Sequence, residues 1–210
     1  SALRQARQRL GPAPLRALFD LLRGPAATTA TQAVRWRGLL LTVIDGTVLS
    51  VADAAAVRTR YGKQRGNHGG AGYPTLRLSA LLTCGTRSVI DAVFDPISTG
   101  ELDQARVLAR SLRAGMLLLA DRNYAAADLL ATIAATGTLR IRVIDARITV
   151  TTTNGTHTGD YRLITTLLDP HRHPAGELIK LYHRRWQIET AYLELKSSIL
   201  GGRVLRARTP

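Results

Sequence analysis

The chain has 210 residues, with 29 Lys and Arg against 15 Asp and Glu, a formal charge of +14 at pH 7 and a pI near 11.2. At 45% hydrophobic and 21% charged it carries enough apolar residues for a core, which excludes wholesale disorder. No apolar run nears the roughly 18 residues of a membrane span, the start SALRQARQRL predicts no secretory leader, and the one cysteine, Cys84, excludes an internal disulfide framework and a cysteine-based zinc site.

Only Lys63, Lys180 and Lys196 are lysine, so the basic surplus is almost wholly arginine. Its planar fork suits bidentate phosphate contacts, and a surplus of this size predicts a polyanion partner, nucleic acid first.

In chain order, residues 2–23 carry leucines near a 3.6-residue period, broken at Gly11-Pro12-Ala13-Pro14, and predict helix. LLLTVI (39–44) predicts a buried strand ending at Asp45-Gly46, with VLSVA (48–52) as its hairpin partner. Residues 58–74, RTRYGKQRGNHGGAGYP, predict a flexible basic loop that either clamps DNA through Arg58, Arg60, Lys63 and Arg65 or is a plain surface loop. TLRLSALLTC and RSVIDAVFDP predict two strands. Glu101–Arg113 predicts a helix capped by Ser98 or Thr99. MLLLAD (116–121) predicts a second buried strand, and AAADLLATIAA a helix stopped by Gly137. Residues 139–152 alternate as a half-exposed strand, Asn154-Gly155 signals a hairpin, and YRLITTLL returns. A last long helix runs from about Ala175 to Ile199. This order predicts an α/β fold with a mixed sheet, and a β-rich insertion at about 139–168 before the last helix.

Asp45 and Asp121 each follow an all-apolar strand. A carboxylate there is partly desolvated and favours a cation, and sites in α/β sheets form beyond strand carboxyl ends. Side by side, two such ends would offer hard oxygen ligands suited to Mg²⁺ or Mn²⁺. Taken singly, each Asp also reads as the cap of the turn that follows. In LYHRRWQIETAYLELKSS, Tyr182, Arg185, Glu189 and Lys196 fall at steps of 3, 4 and 7, near one helix face, while Leu181, Ile188, Ala191, Leu195 and Ile199 form an apolar stripe. Arg185 and Glu189 equally suit a solvated i,i+4 ion pair.

The spacing Tyr182-x₂-Arg185-x₃-Glu189-x₆-Lys196 resembles the YREK signature of bacterial insertion-sequence transposases, the IS-four group of the DDE superfamily. VIDGT (43–47) and LADRNY (119–124) resemble the segments that carry this group's first and second catalytic Asp. The resemblance covers about residues 35–210, with 1–34 as the tail of an N-terminal helical segment. It implies an RNase H-like catalytic domain in which Asp45, Asp121 and Glu189 hold two divalent ions. It further implies that Tyr182, Arg185, Lys196 and Arg122 contact DNA phosphates at the element's ends. A DNA transposase acting on double-stranded DNA in the cytoplasm, at the nucleoid, and as a homodimer on DNA is the expected function. The alternatives are an inactive relative that only binds DNA and another RNase H-fold endonuclease. Among the remaining residues, Trp36 and Trp186 are expected in core or edge packing, the histidines in structural or solvated roles, and Cys84 as a small buried hydrophobe. Asp91, Asp95 and Glu101 are secondary candidates for the site's electrostatics.

Overall fold

The computed structural model describes residues 2–28, 31, 34–63, 72–134, 140–153 and 155–205. Its axis is one long strand, β2 (Leu39–Ser50), preceded by the short β1 (Arg35–Trp36). β2 pairs antiparallel along its length with β3 (Thr75–Thr83), and β3 pairs antiparallel with β4 (Val89–Pro96). β5 (Met116–Leu119) runs parallel to β2 on its opposite edge, since Thr42 sits opposite Thr83 on one side and Leu118 on the other. The result is the mixed sheet of an RNase H-like fold, β4-β3-β2-β5, with helices on both faces.

The hairpin expected at Asp45-Gly46 does not form. VLSVA continues β2, and the ladder runs unbroken through Asp45–Ala80 and Gly46–Ser79. Gly46 is not among the glycines with positive φ, and nine rungs with β3 override a two-residue turn signal. Asp45 therefore lies within a strand and not at its end.

Period-two alternation divides the core. Leu41 and Val43 of β2 and Leu119 of β5 face one layer, with Leu178, Leu181, Ile188 and Tyr192 of the C-terminal helices. Ile44 and Leu81 face the other, against α4 (Glu101–Ala109) and α5 (Ala127–Ala134) through Ala105, Leu108 and Leu129. A smaller cluster of Leu49, Val51, Val57, Tyr61 and Leu76 closes the far end of β2 beneath α3 (Ala55–Arg60).

Helices α1 (Ala2–Leu10) and α2 (Ala13–Leu22) divide at Gly11, whose φ of 64° ends the first, while Pro12 caps the second. α2 buries no residue and is tied to β4 beyond its end by Arg23–Asp91 (2.6 Å) and Gly24 N–H to Val89 O (2.8 Å). α3 falls where part of the basic loop was expected, and Arg65 and His68 lie outside the described residues. Arg58 and Lys63 both pair with Asp53, each at 2.7 Å. α4 is shorter than expected, and Gly100, not Ser98 or Thr99, precedes it without a side-chain cap. Gly137 and Asn154 also lie outside the described residues. β6 (Arg142–Thr152) and β7 (Gly155–Thr165) pair only with each other, as an antiparallel ribbon between α5 and the C-terminal helices.

The last helix is one helical run of changing pitch: α6 (Ala175–Tyr182), a 3₁₀ turn (His183–Arg185), α7 (Trp186–Glu194) and a π turn (Leu195–Ile199) in which Leu200 N–H reaches Leu195 O. Its buried positions are Leu178, Leu181, Arg185, Ile188 and Tyr192, at steps of 3, 4, 3 and 4. Ile199, expected in the apolar stripe, is 75% exposed, and Trp186 is 56% exposed rather than packed in the core. Cys84 is fully buried, and burial pushes its thiol up to about 11.

Candidate active site

The alternation that sets the core also aims the site. Leu41 and Val43 point toward α7, so Asp45, two residues on, continues that row. β5 runs parallel to β2 as far as the rung Val43–Leu119, and Asp121 follows two residues beyond that rung, as Asp45 does along β2. Asp121 keeps an extended backbone, and its carboxylate accepts from Arg122 N–H to cap the 3₁₀ turn Arg122–Tyr124. The reading of this Asp as the cap of the turn that follows is what the backbone shows. Asp45 accepts from its neighbour Gly46 N–H at 2.8 Å.

Helix α7 brings the third acid. Arg185 Nη2 reaches Glu189 Oε1 at 3.3 Å, and Nη1 reaches Asp45 Oδ2 at 3.7 Å. One guanidinium thus links the helix acid to the strand acid. Its side chain is only 10% exposed, and its Nε is buried without a hydrogen-bond partner. The group lies over the rings of Trp186 (5.5 Å) and Tyr182 (5.8 Å). Tyr182 is half-buried: burial raises its hydroxyl pKa first, and the charges of Asp121 and Asp45 add to that against Arg185. Arg122 and Lys196 are exposed, and Lys196 stands in the π turn beyond α7.

Desolvation raises the Asp45 carboxyl above its ordinary value, and Glu189 and Glu101 raise it further, against the Gly46 N–H and Arg185. The carboxylate is therefore short of positive charge. The donors at hand are all carboxylate oxygens, the set that hard divalent cations take, so the residues suit such an ion chemically. Among the described residues, no three His, Cys, Asp or Glu side chains already stand close enough together to hold one.

Three contributors were not singled out in the sequence. Tyr192 donates its hydroxyl to Asp45 O (2.6 Å) and accepts from Ala80 N–H (3.1 Å), inserting itself into one rung of the β2–β3 ladder. Its place three residues after Glu189 was the available signal. Tyr124 is buried, its hydroxyl has no hydrogen-bond partner, and burial first, then Asp45, Glu101 and Asp121, push its pKa up. Arg77 holds Glu101 at 3.2 Å, and a Cβ on Gly46 would sit 3.3 Å from Glu101 Oε1. Of the secondary candidates, Glu101 thus lies beside the site. Asp95 accepts from Gln104, and Asp91 is taken by Arg23 and Ser111.

A mixed sheet of this order, with one acid on β2, a second just beyond β5 and a third on the helix packed over them, places the chain in the RNase H-like fold class. Within it the chain belongs to the transposase DDE domain family, whose model matches residues 36–210. It is 31% identical over 138 residues to the putative transposase InsZ of Escherichia coli strain K12, covering 63% of this chain and 45% of that protein. It is 25% identical over 248 residues to the transposase InsG for insertion sequence element IS4 of the same strain, covering 100% of this chain and 56% of that protein. The chain spans about half the length of these relatives.

Proposed function

We propose that this chain is the catalytic part of a DNA transposase that cuts and rejoins DNA at the ends of an insertion sequence. The observation that carries the reading is Arg185 tying Asp45 of β2 to Glu189 of α7, with Asp121 two residues past the end of the parallel neighbour β5. Asp45, Asp121 and Glu189 would hold two divalent ions, Mg²⁺ or Mn²⁺. Bound there, such ions favour the attacking oxygen and the leaving oxygen of an in-line displacement. In cleavage, a water oxygen attacks the scissile phosphorus, the bond to the 3′ oxygen breaks, and that oxygen leaves as a hydroxyl after taking a proton. In strand transfer, the freed 3′-hydroxyl attacks a target phosphorus in the same way.

The protein's own part is positioning. Tyr182, Arg185, Lys196 and Arg122 contact phosphates flanking the scissile bond, which aligns it with the acids. Tyr192 and the β2–β3 ladder hold Asp45 in place. The partners in this reading are double-stranded DNA at the element's ends and in the target, with a second copy of the chain on the DNA. The place of action is the cytoplasm, at the nucleoid. No helix among the described residues is long and apolar enough to cross a membrane.

The test uses the full-length protein and a supercoiled plasmid bearing both ends of the element. Nicking that needs Mg²⁺ or Mn²⁺, and disappears in Glu189→Ala while duplex binding survives, is the expected result. Undiminished nicking by Glu189→Ala refutes the reading.

A further inference from the structure

The acids Asp45 and Glu189 share a positive charge, and it belongs to the helix. Among the described residues, Arg185 is the only basic side chain within ion-pair distance of Asp45 or of Glu189. Its position is unusual for a surface signature: it occupies a buried step of the α6–α7 stripe, between Leu181 and Ile188. Both of its ion pairs are long, 3.3 and 3.7 Å, against about 2.7–2.9 Å for a strong charge-assisted hydrogen bond. Elsewhere in the chain Arg37 reaches Glu177 at 3.0 Å and Arg58 reaches Asp53 at 2.7 Å. Arg185 is shared between two acids and well bonded to neither, and its Nε has no partner at all.

The charge balance is also incomplete. Asp45, Glu189 and Glu101 bring three carboxylates to this corner, while among the described residues Arg185 and Arg77 are the cations that pair with them. A divalent cation at the acids would correct that deficit and compete directly with Arg185 for Asp45 Oδ2 and Glu189 Oε1.

We infer that Arg185 is the resident counter-cation of the metal-free site, linking Asp45 to Glu189 until a divalent ion displaces it and frees its guanidinium for a DNA phosphate. This rests on the proposed function above and deepens it. Before metal, Arg185 keeps two mutually repelling acids side by side. After metal, its unsatisfied Nε and released Nη groups form a fork suited to a phosphate. Metal uptake and DNA engagement are thereby coupled through one side chain.

Trp186, under the guanidinium and 56% exposed, supplies the readout. In a Trp36→Phe background of the full-length protein, without DNA, Mg²⁺ is titrated while Trp186 emission and calorimetric uptake are followed. The emission is expected to change in step with uptake. Arg185→Gln is expected to take up Mg²⁺ roughly three- to tenfold more tightly, with nothing to displace, and to lose the emission change. Asp45→Asn is expected to abolish both signals. Uptake that depends on Asp45 but is indifferent to Arg185→Gln, or a Trp186 emission that stays flat at saturation, overturns this inference and leaves the proposed function standing. Absence of uptake in the wild type, or uptake undiminished in Asp45→Asn, overturns both. If Arg185→Gln fails to fold, the wild-type emission change decides alone.

Discussion

Asp45 carries the sharpest consequence at the scale of single residues. Its carboxyl is raised by burial first, then by Glu189 and Glu101, so the fold prefers it protonated more than the unfolded chain does. That preference stabilises the protein fully below the unfolded value of about 3.9 and is lost as pH rises through the raised native value. At neutral pH the buried charge is a net cost. Asp45→Asn, neutral at every pH, is therefore expected to melt above the wild type at pH 7 in metal-free buffer. The gap should close below about pH 4. Thermal melts at both pH values with a chelator decide it, and a lower melting point for the variant at pH 7 contradicts the argument. Asp45 and Asp121 were legible because each follows an apolar run, although Asp45 proves to lie inside β2 where the alternation set by Leu41 and Val43 aims it. The burial of Arg185 was not legible. Spacing put it on a polar helix face, and only the packing of that helix over β2 makes it an internal residue whose partner lies 140 positions away in sequence.

Among the elements, the ribbon of β6 and β7 stands apart. Its exposed ion pairs, Arg147–Asp160 and Arg162–Asp145, lie directly across the ladder, yet their side chains are 65–78% exposed. Such pairs contribute between nothing and about 1 kcal/mol. Ile144, in contrast, is 7% exposed and joins the main core with Leu163 beside it. Ile144→Ala is expected to cost about 2–4 kcal/mol, and Asp145→Asn less than about 1 kcal/mol, by urea unfolding. A larger loss from Asp145→Asn would mean that surface charge, not the single isoleucine, anchors the ribbon. The ribbon itself was legible from alternation and turn residues, as were β3, β4 and β5, while α3 was not. The turn read at Asp45-Gly46 shows the limit: a local signal lost to nine rungs of pairing that no window of sequence displays. The last helix was legible as one rod, but its 3₁₀ and π turns were not, because pitch there answers to contacts with the sheet.

For the molecule as a whole, the charge of +14 bears on the proposed binding of DNA. Duplex binding is expected to weaken linearly in log K against log salt, by about 0.9 for each phosphate neutralised. Arg122, in the 3₁₀ turn after Asp121, and Lys196, in the π turn after α7, are both exposed. Replacing both by Gln should flatten that slope by about two without lowering thermal stability. Anisotropy titrations across a range of salt concentrations measure the slope. An unaltered slope removes these two side chains from the DNA contact.

The phenol of Tyr192 has one more implication. Because it is wedged between Asp45 O and Ala80 N–H, it acts as a spacer that fixes the height of α7 above the sheet. The helix cannot slide by a residue without stranding a donor and an acceptor in the dry interior. Adjustments at this corner must therefore come from side chains turning in place while the rod stays locked, so reach and not travel sets what the acids can grip.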